Sequence, residues 1–455
     1  MSTPVIAVFD VGRTNKKVFL FDEAYHIQYE NETHLKEIKD EDGFPCQDVH
    51  ALATWIRESI TTLFALAQFE IKAIAISAHG ASFVNIDKQG NPVTPLYDYL
   101  KPFPESLRQK FYSDYGEDLP RITASPSLGS LNSALQLYRL KQEQPEVFQK
   151  IHYALHLPQY ISFLISGQAS SDITSIGCHT HLWDFEKKGY HDWVSKEGLI
   201  SKLAPIHTTD TVHTIIIHGK QIRVGIGLHD SSAALIPYLK TVTAPFVLIS
   251  TGTWCISLNP FNPSPLTRDE LGKDSLCYLS YDGKPVKAAR LFAGHEHEEQ
   301  AKRIAAHFGK EAEQYKTVSY RQALVSKLKQ KNPVTTKEFH GGIEPSVFVQ
   351  RDLDTFASYE EAYYQLLIDI IQQQYFSTSL VLNNTNVKRI FVDGGFSKNP
   401  LYMNLMADAF PHLSISGASV AQASALGAAL VIHHHWNSAP VPGHLIDLHS
   451  YPTAK

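Results

Sequence analysis

Val5-Ile6-Ala7-Val8-Phe9-Asp10-Val11-Gly12-Arg13-Thr14-Asn15-Lys16-Lys17-Val18-Phe19-Leu20-Phe21 is the stretch that decides the fold. Val5 to Phe9 is a short β-rich apolar run that ends on Asp10. The chain turns through Val11 to Asn15 and resumes as Val18 to Phe21, which reads as a hairpin with a polar, Gly-containing loop. Outward from it, Tyr25 to Leu35 supplies a candidate third strand. Asp48 opens a helix whose apolar residues Val49, Leu52, Ala53, Ile56, Ile60, Leu63 and Phe64 follow helical spacing. The strand Ala73 to Ile76 comes next. Three strands, a helix and another strand make the opening of a mixed α/β domain, with the polar loop at one edge of the sheet.

A similar arrangement returns past the midpoint. Phe246 to Ile249 runs into Ser250-Thr251-Gly252-Thr253 and out through Trp254 to Leu258, again strand, Gly/Thr loop, strand. A long helix from about Tyr359 to Leu382 follows, then the strand Arg389 to Val392, a Gly-Gly turn, and a helix over Pro400 to Phe410. The strand Leu413 to Ile415 and an Ala-rich helix from Val420 towards Ile432 complete the pattern. The second half thus repeats the plan of the first, on pattern alone. Between the halves, Val224 to Leu235 has a Gly-rich approach, a His229-Asp230 pair and small residues suited to a tightly packed helix start. Pro237 and Lys240 to Pro245 make a hinge.

A chain of 455 residues with 43% hydrophobic residues can bury a large core and is expected to form two domains. Its formal charge of -5 leaves no basic surplus for a nucleic acid or an anionic membrane surface. Cys46, Cys178, Cys255 and Cys277 lie far apart, which suits reduced thiols in a cytoplasm. Met1 to Pro4 runs straight into a strand without a basic leader, and no stretch reaches the roughly 18 apolar residues of a membrane span. A soluble cytoplasmic protein is the expectation.

The first loop exposes backbone N–H groups, and its hydroxyls and Lys16 add donors suited to phosphate oxygens. Asp10 at the strand end suits Mg2+. A plain polar turn accounts equally well for one such loop; two of them, at the same place in two halves, suggest a phosphate clamp. Asp393-Gly394-Gly395-Phe396-Ser397-Lys398-Asn399-Pro400 joins a strand to a helix, where glycines let a ring or ribose lie against the backbone. Asn399 before Pro400 is also a natural N-cap. Asp230 at a helix start can accept a proton from a hydroxyl attacking a γ-phosphate, although an N-capping role is the commoner fate of Asp there. His229 beside it is either a donor to a substrate hydroxyl or structural. Gly294-His295-Glu296-His297-Glu298-Glu299 invites a metal, but its two His lie two residues apart, about 200° around a helix. A solvated helix start is favoured there, nucleotide contact comes second, and a metal-dependent hydrolase is a distant rival. His433-His434-His435 reads as an exposed helix end.

Taken in order, Asp10 to Asn15, Ser77-Ala78-His79-Gly80, Leu228 to Ala233, Ser250 to Thr253 and Gly394 to Leu401 resemble the FGGY carbohydrate kinases, over nearly the whole chain. The resemblance implies an α/β fold of two ribonuclease-H-like domains, as in actin and hexokinase, with ATP and sugar meeting in the cleft between them. It implies a sugar-binding domain over 1–240 that carries the catalytic Asp and a nucleotide-binding domain over 241–455. Asp10 would then bind Mg2+, and Gly12, Arg13, Thr14, Asn15 and Lys16 with Thr251, Gly252 and Thr253 would cradle phosphates. Gly394, Gly395 and Asn399 would line the adenosine site, and Asp230 matches the family's base. His79 and Gly80 fall at the sugar side, with Asp172 and His229 as further sugar contacts.

A His directly before the base resembles the rhamnulokinase and fuculokinase branches, whose substrates are 6-deoxy-ketohexoses phosphorylated at the terminal hydroxyl next to the ketone. Tyr97-Asp98-Tyr99 departs from the Trp-x-Asp-x-Arg segment of many relatives, and Arg13 stands where a small hydroxyl residue is common. The expected activity is ATP- and Mg2+-dependent phosphorylation of a small sugar, with no nucleic-acid or membrane partner and with a homodimer compatible. The rivals are a pentulose or polyol kinase of the same family, or a sensor that kept the fold and lost catalysis.

Overall fold

β1 (Thr3–Val11) and β2 (Lys16–Asp22) pair antiparallel, with Val5 opposite Asp22 and Val11 opposite Lys16, so the loop between them closes the expected hairpin. The computed structural model describes residues 2–332, 339, 341–420 and 422–452. Val5 to Phe9 are all buried, which explains why β1 reads as a continuous apolar run: it is central and covered on both faces. β3 (Ile27–Thr33) adds antiparallel to β2. α1 (Val49–Phe64) starts where the Asp48 carboxylate accepts from the amides of His50 and Ala51, and it buries Val49, Leu52, Ala53, Ile56 and Leu63. β4 (Phe69–Ala78) lies parallel to β1 on its other side.

The hairpin of β5 (Val212–Ile217) and β6 (Lys220–Gly225) extends this sheet, β6 running parallel to β4. The two-residue β7 (Leu228–His229) also pairs with β4 and delivers the chain to α2 (Asp230–Thr241). The order is β5-β6-β4-β1-β2-β3, with β7 on β4. A satellite core inside the long β4–β5 connection is built on Phe111, Tyr138 and Trp193.

The second sheet repeats the plan. β8 (Val247–Thr251) and β9 (Cys255–Asn259) form its first hairpin. β10 (Ser275–Leu279) and β11 (Pro285–Leu291) follow, β11 antiparallel to β9. After α3 (Ala293–His307) and α4 (Tyr359–Leu382), β12 (Arg389–Gly394) pairs parallel with β8. α5 (Pro400–Ala409) leads to β13 (Ser414–Ser419), parallel to β12. α6 (Ala423–Val431) and β14 (Asp447–Tyr451) close the chain's described part. The order β10-β11-β9-β8-β12-β13-β14 places an antiparallel meander on one side of the first strand and, on the other, two parallel strands followed by an antiparallel edge strand, as in the first sheet. α4 is buried nearly all round, so its sequence carries little amphipathic contrast and packs into the main core of this half.

Two compact units result. The first is Met1–Thr241 with Cys277–Pro285 and Ala421–Leu445; the second is Val242–Leu276, Val286–Val420 and Ile446–Lys455. The sequence placed a boundary at 240, and α2 ends at Thr241 with Pro237 inside it. No local sequence feature marks the two later segments that return to the first unit. α6 packs on α2 so closely that a Cβ on Gly427 would lie 1.9 Å from the Ala233 carbonyl. His433 corrects the expected exposed helix end: it is buried, its Nε2 donates to the Ala439 carbonyl (2.7 Å) and its Nδ1 accepts from the Tyr25 hydroxyl (2.5 Å). His434 alone of the three is fully exposed.

Candidate functional site

The β1–β2 hairpin presents Thr14 and Asn15 to solvent, but it spends its cations internally. Arg13 donates from Nε (3.0 Å) and Nη2 (2.5 Å) to Oδ2 of Asp98. Lys16 is buried, and its Nζ donates to the Arg13 carbonyl at 2.7 Å. Arg13 is thus engaged as an ion-pair partner and Lys16 as a brace of the loop. Gly12 allows the tight closure, since a Cβ there would meet the Asn15 carbonyl at 3.2 Å.

Asp10, at the end of β1, is held by an unanticipated partner. Its Oδ2 accepts from the Ser424 hydroxyl at 2.8 Å, from the first turn of α6. Burial raises its pKa to about 6; the Ser424 bond opposes this and the Asp230 charge adds to it. The two carboxylates therefore share one field.

Asp230 is the first residue of α2, with a third of its side chain (33%) exposed. Oδ1 accepts from the Ser231 amide (2.6 Å) and the Ser231 hydroxyl (3.3 Å), and His229 Nε2 stands 3.3 Å from the same oxygen. Oδ2 carries none of these contacts. Desolvation raises the Asp230 pKa, with His79 pulling against it. Nε2 of His229 also lies 3.6 Å from the Cys178 thiol, while its Nδ1 is buried with no hydrogen-bond partner among the described residues. Burial drops the His229 pKa to about 4, so the ring is neutral. Gly80 makes room for it: a Cβ there would stand 2.7 Å from Cδ2 of His229.

His79 donates from Nδ1 to the Gly80 carbonyl (3.0 Å), so its Nε2 is the acceptor of the Gln47 amide (2.8 Å). Burial lowers its pKa. Asp172 belongs elsewhere. It is fully buried and caps the short helix Ile173–Ile176, Oδ1 taking the Thr174 amide and hydroxyl and Oδ2 the Thr209 hydroxyl (2.6 Å). Both of its oxygens are engaged inside the protein.

In the second unit, a cavity of about 530 Å3 is lined by Gly252, Gly294 and His297, by Tyr315, Lys316 and Val318, and by the run from Gly395 and Phe396 to Lys398, Asn399 and Pro400. The Gly/Thr hairpin, expected at the phosphates, and the Gly-Gly turn, expected at the adenosine, both contribute to this lining. Thr251 acts indirectly: its hydroxyl donates to the Asp393 carbonyl (2.5 Å) and accepts from the Phe396 amide (3.0 Å), stapling the turn. Gly394, at φ +89°, has no space for a Cβ, which would fall 1.9 Å from the Thr251 carbonyl. Thr253 is exposed, and its carbonyl accepts from the His295 amide (3.0 Å). Asn399 caps α5 through the amides of Leu401 and Tyr402 and donates to the Tyr363 hydroxyl (2.8 Å). That hydroxyl also meets His297 Nε2 at 2.9 Å.

The His/Glu cluster is not a solvated helix start. Glu296 is buried and accepts from the Ser346 amide (2.9 Å) and hydroxyl, and burial lowers the His297 pKa to about 4. Among the described residues no group of three or more His, Cys, Asp or Glu is placed to hold a metal ion. Tyr315, Lys316, Val318, Gln47 and Ser424 were missed by sequence reading, and none carries a local signal; Asp98 stood out only within the divergent Tyr97-Asp98-Tyr99 segment.

Fit to a nucleotide and a cation follows from these features. A Cβ on Gly252 or Gly395 would meet nothing within 4 Å, so the backbone of both turns is open for close approach by a ligand. Asp10 offers hard carboxylate oxygen, and Mg2+ is commonly held by one or two carboxylates with the remainder from water and phosphate. No described helix is long and apolar enough to cross a membrane.

The chain matches the FGGY family of carbohydrate kinases, N-terminal domain, over residues 5–236 and the carbohydrate kinase FGGY C-terminal domain over residues 243–440. It belongs to the FGGY family of carbohydrate kinases. A rhamnulokinase of Halalkalibacterium halodurans is 24% identical over 257 residues, covering 54% of this chain and 52% of that protein, so the match spans about half the length of that relative. Among solved structures, a carbohydrate kinase from Novosphingobium aromaticivorans superposes with a TM-score of 0.81 at 22% identity over 100% of this chain and 95% of its own. The ligand-bound xylulose kinase from Lactobacillus acidophilus gives 0.77 at 16% identity, covering 99% and 94%. The expected α/β fold of two actin- and hexokinase-type domains is the fold of these sugar kinases.

Proposed function

We propose that this protein is an ATP- and Mg2+-dependent sugar kinase that transfers the γ-phosphate to a terminal hydroxyl of a small ketose, with 6-deoxy-ketohexoses such as L-rhamnulose or L-fuculose favoured. The observation that carries the reading is Asp230: a partly exposed carboxylate at a helix start, two Ser231 donors on one oxygen, the other without a hydrogen-bond partner among the described residues, and a raised proton affinity. A carboxylate so poised takes the proton of the sugar hydroxyl on Oδ2 as the hydroxyl oxygen attacks the γ-phosphorus and the bond to the β-phosphate oxygen breaks, releasing ADP. His229, fixed against Asp230, orients the carboxylate and keeps its own ring neutral. Asp10 would hold Mg2+, which when bound neutralises charge on the phosphates. Gly252, Gly395 and Asn399 support a nucleotide in the second unit, with Thr251 fixing the turn beneath it. The His before the base and the rhamnulokinase relative favour the deoxy-ketose.

The test is coupled ADP release with ATP and Mg2+ over L-rhamnulose, L-fuculose, L- and D-xylulose, L- and D-ribulose, D-fructose, glycerol and gluconate. Wild type and Asp230→Ala are run side by side. Sugar-dependent release that drops by about a thousandfold in the variant, with ADP binding retained, is the expected result. Equal turnover in the variant removes Asp230 as the base.

A further inference from the structure

The ring of Tyr99 is held from two sides. The Arg13 guanidinium lies 5.7 Å from its centroid, and the His79 imidazole meets it at 5.8 Å and 65°. Arg13 is itself anchored, because Asp98 takes both guanidinium bonds on Oδ2 and the Leu100 amide (2.8 Å) on Oδ1. The Asp98 side chain is only 6% exposed. Drawing Arg13 away to a phosphate would leave a buried carboxylate unpaired, a costly exchange.

The Tyr99 hydroxyl has no hydrogen-bond partner among the described residues, and the residue is half-buried. Burial raises its pKa, Arg13 opposes, and Asp98 and Asp230 add to the rise, so the phenol lies within the field of the proposed base. A rigid aromatic ring with an unspent hydroxyl, beside His79 and near Asp230, has the chemistry of a carbohydrate contact: a flat apolar face for C–H groups and one polar tip.

We propose that Tyr99 binds the acceptor sugar and sets its specificity, its hydroxyl bonding a substrate hydroxyl and its ring bounding the sugar's space, with Arg13 and Asp98 as positioning residues. This rests on the kinase reading above and gives Arg13 a role on the acceptor side in place of the donor side.

Isothermal titration of L-rhamnulose, L-fuculose and D-xylulose against wild type, Tyr99→Phe and Arg13→Ala tests it, with ADP binding and melting temperature measured on the same samples. Tyr99→Phe is expected to weaken sugar binding about tenfold, the loss of one well-made hydrogen bond, with ADP binding and melting unchanged. Arg13→Ala is expected to weaken the sugar and spare ADP. Unchanged sugar affinity in Tyr99→Phe overturns the proposal, and so does an Arg13→Ala variant that loses ADP and keeps the sugar. Wild type that binds ADP and no sugar of the panel overturns the kinase reading itself, and this inference with it.

Discussion

The Ser424 hydroxyl donates to Oδ2 of Asp10 at 2.8 Å, joining residues 414 positions apart. Both belong to the first unit, and the bond fixes one carboxylate oxygen so that the other keeps a constant direction. Ser424→Ala is expected to raise the Mg2+ concentration for half-maximal turnover by about tenfold, the scale of a hydrogen bond to a charged group, while Ser424→Thr restores it. A Mg2+ titration of the three proteins checks this. An unchanged requirement would mean that Asp10 needs no clasp.

Gly394 supports a second expectation. Its φ of +89° and the 1.9 Å approach of a Cβ to the Thr251 carbonyl leave no accommodating shift. Gly394→Ala should lower stability by about 1–3 kcal/mol and weaken ADP, since the Thr251 staple breaks with it. Thermal melts and ADP titration report both, and a variant with wild-type values in each would show that the turn relaxes freely.

Acid should silence the enzyme early. Burial raises Asp10 to about 6, and burial raises Asp230 as well. The expected profile of kcat/KM falls as pH drops through about 6, where Asp10 takes up its proton. A single limb near the ordinary aspartate value, about 4, would contradict it.

Buried neutral histidines contribute a stability term of known sign. Burial lowers the pKa of His156 to about 3; its ring stacks on Phe83 at 4.1 Å and its Nε2 meets the Ser133 hydroxyl at 3.0 Å. Because the folded value lies below the unfolded one, about 6.5, the unfolded chain binds more protons between them, and stability from this group is lost as pH falls. His156→Asn removes that loss, so its melting deficit against wild type should shrink from pH 7.5 to pH 4. A deficit that stays constant would show that His156 does not titrate on unfolding.

Local pattern carried much of the fold. The runs Val5 to Phe9 and Phe246 to Ile249 are apolar because their strands are central, and the α1 residues repeat at helical spacing because one face is buried. The Asp393 to Pro400 run showed its turn and cap through Gly394 and Asn399, whose backbone demands are local. What stayed hidden depends on partners far away in sequence. Arg13 looks free until Asp98, 85 residues on, claims it, and nothing near His433 announces Tyr25. Asp172 entered through the resemblance alone, and nothing local announced Thr209, whose hydroxyl donates to its second oxygen.

α6 reaches the first unit from the far end of the chain, and this sets an order of events during synthesis. Domains tend to fold as they emerge from the ribosome, earliest segment first. Here the opening segment, Met1–Thr241, waits for Ala421–Leu445 before its unit is whole, and until Ser424 has been translated Asp10 lacks its clasp. The nascent hairpin therefore gains this bond only after 414 further residues have been made, so a chain stopped short of α6 leaves the Asp10 carboxylate without its Ser424 partner.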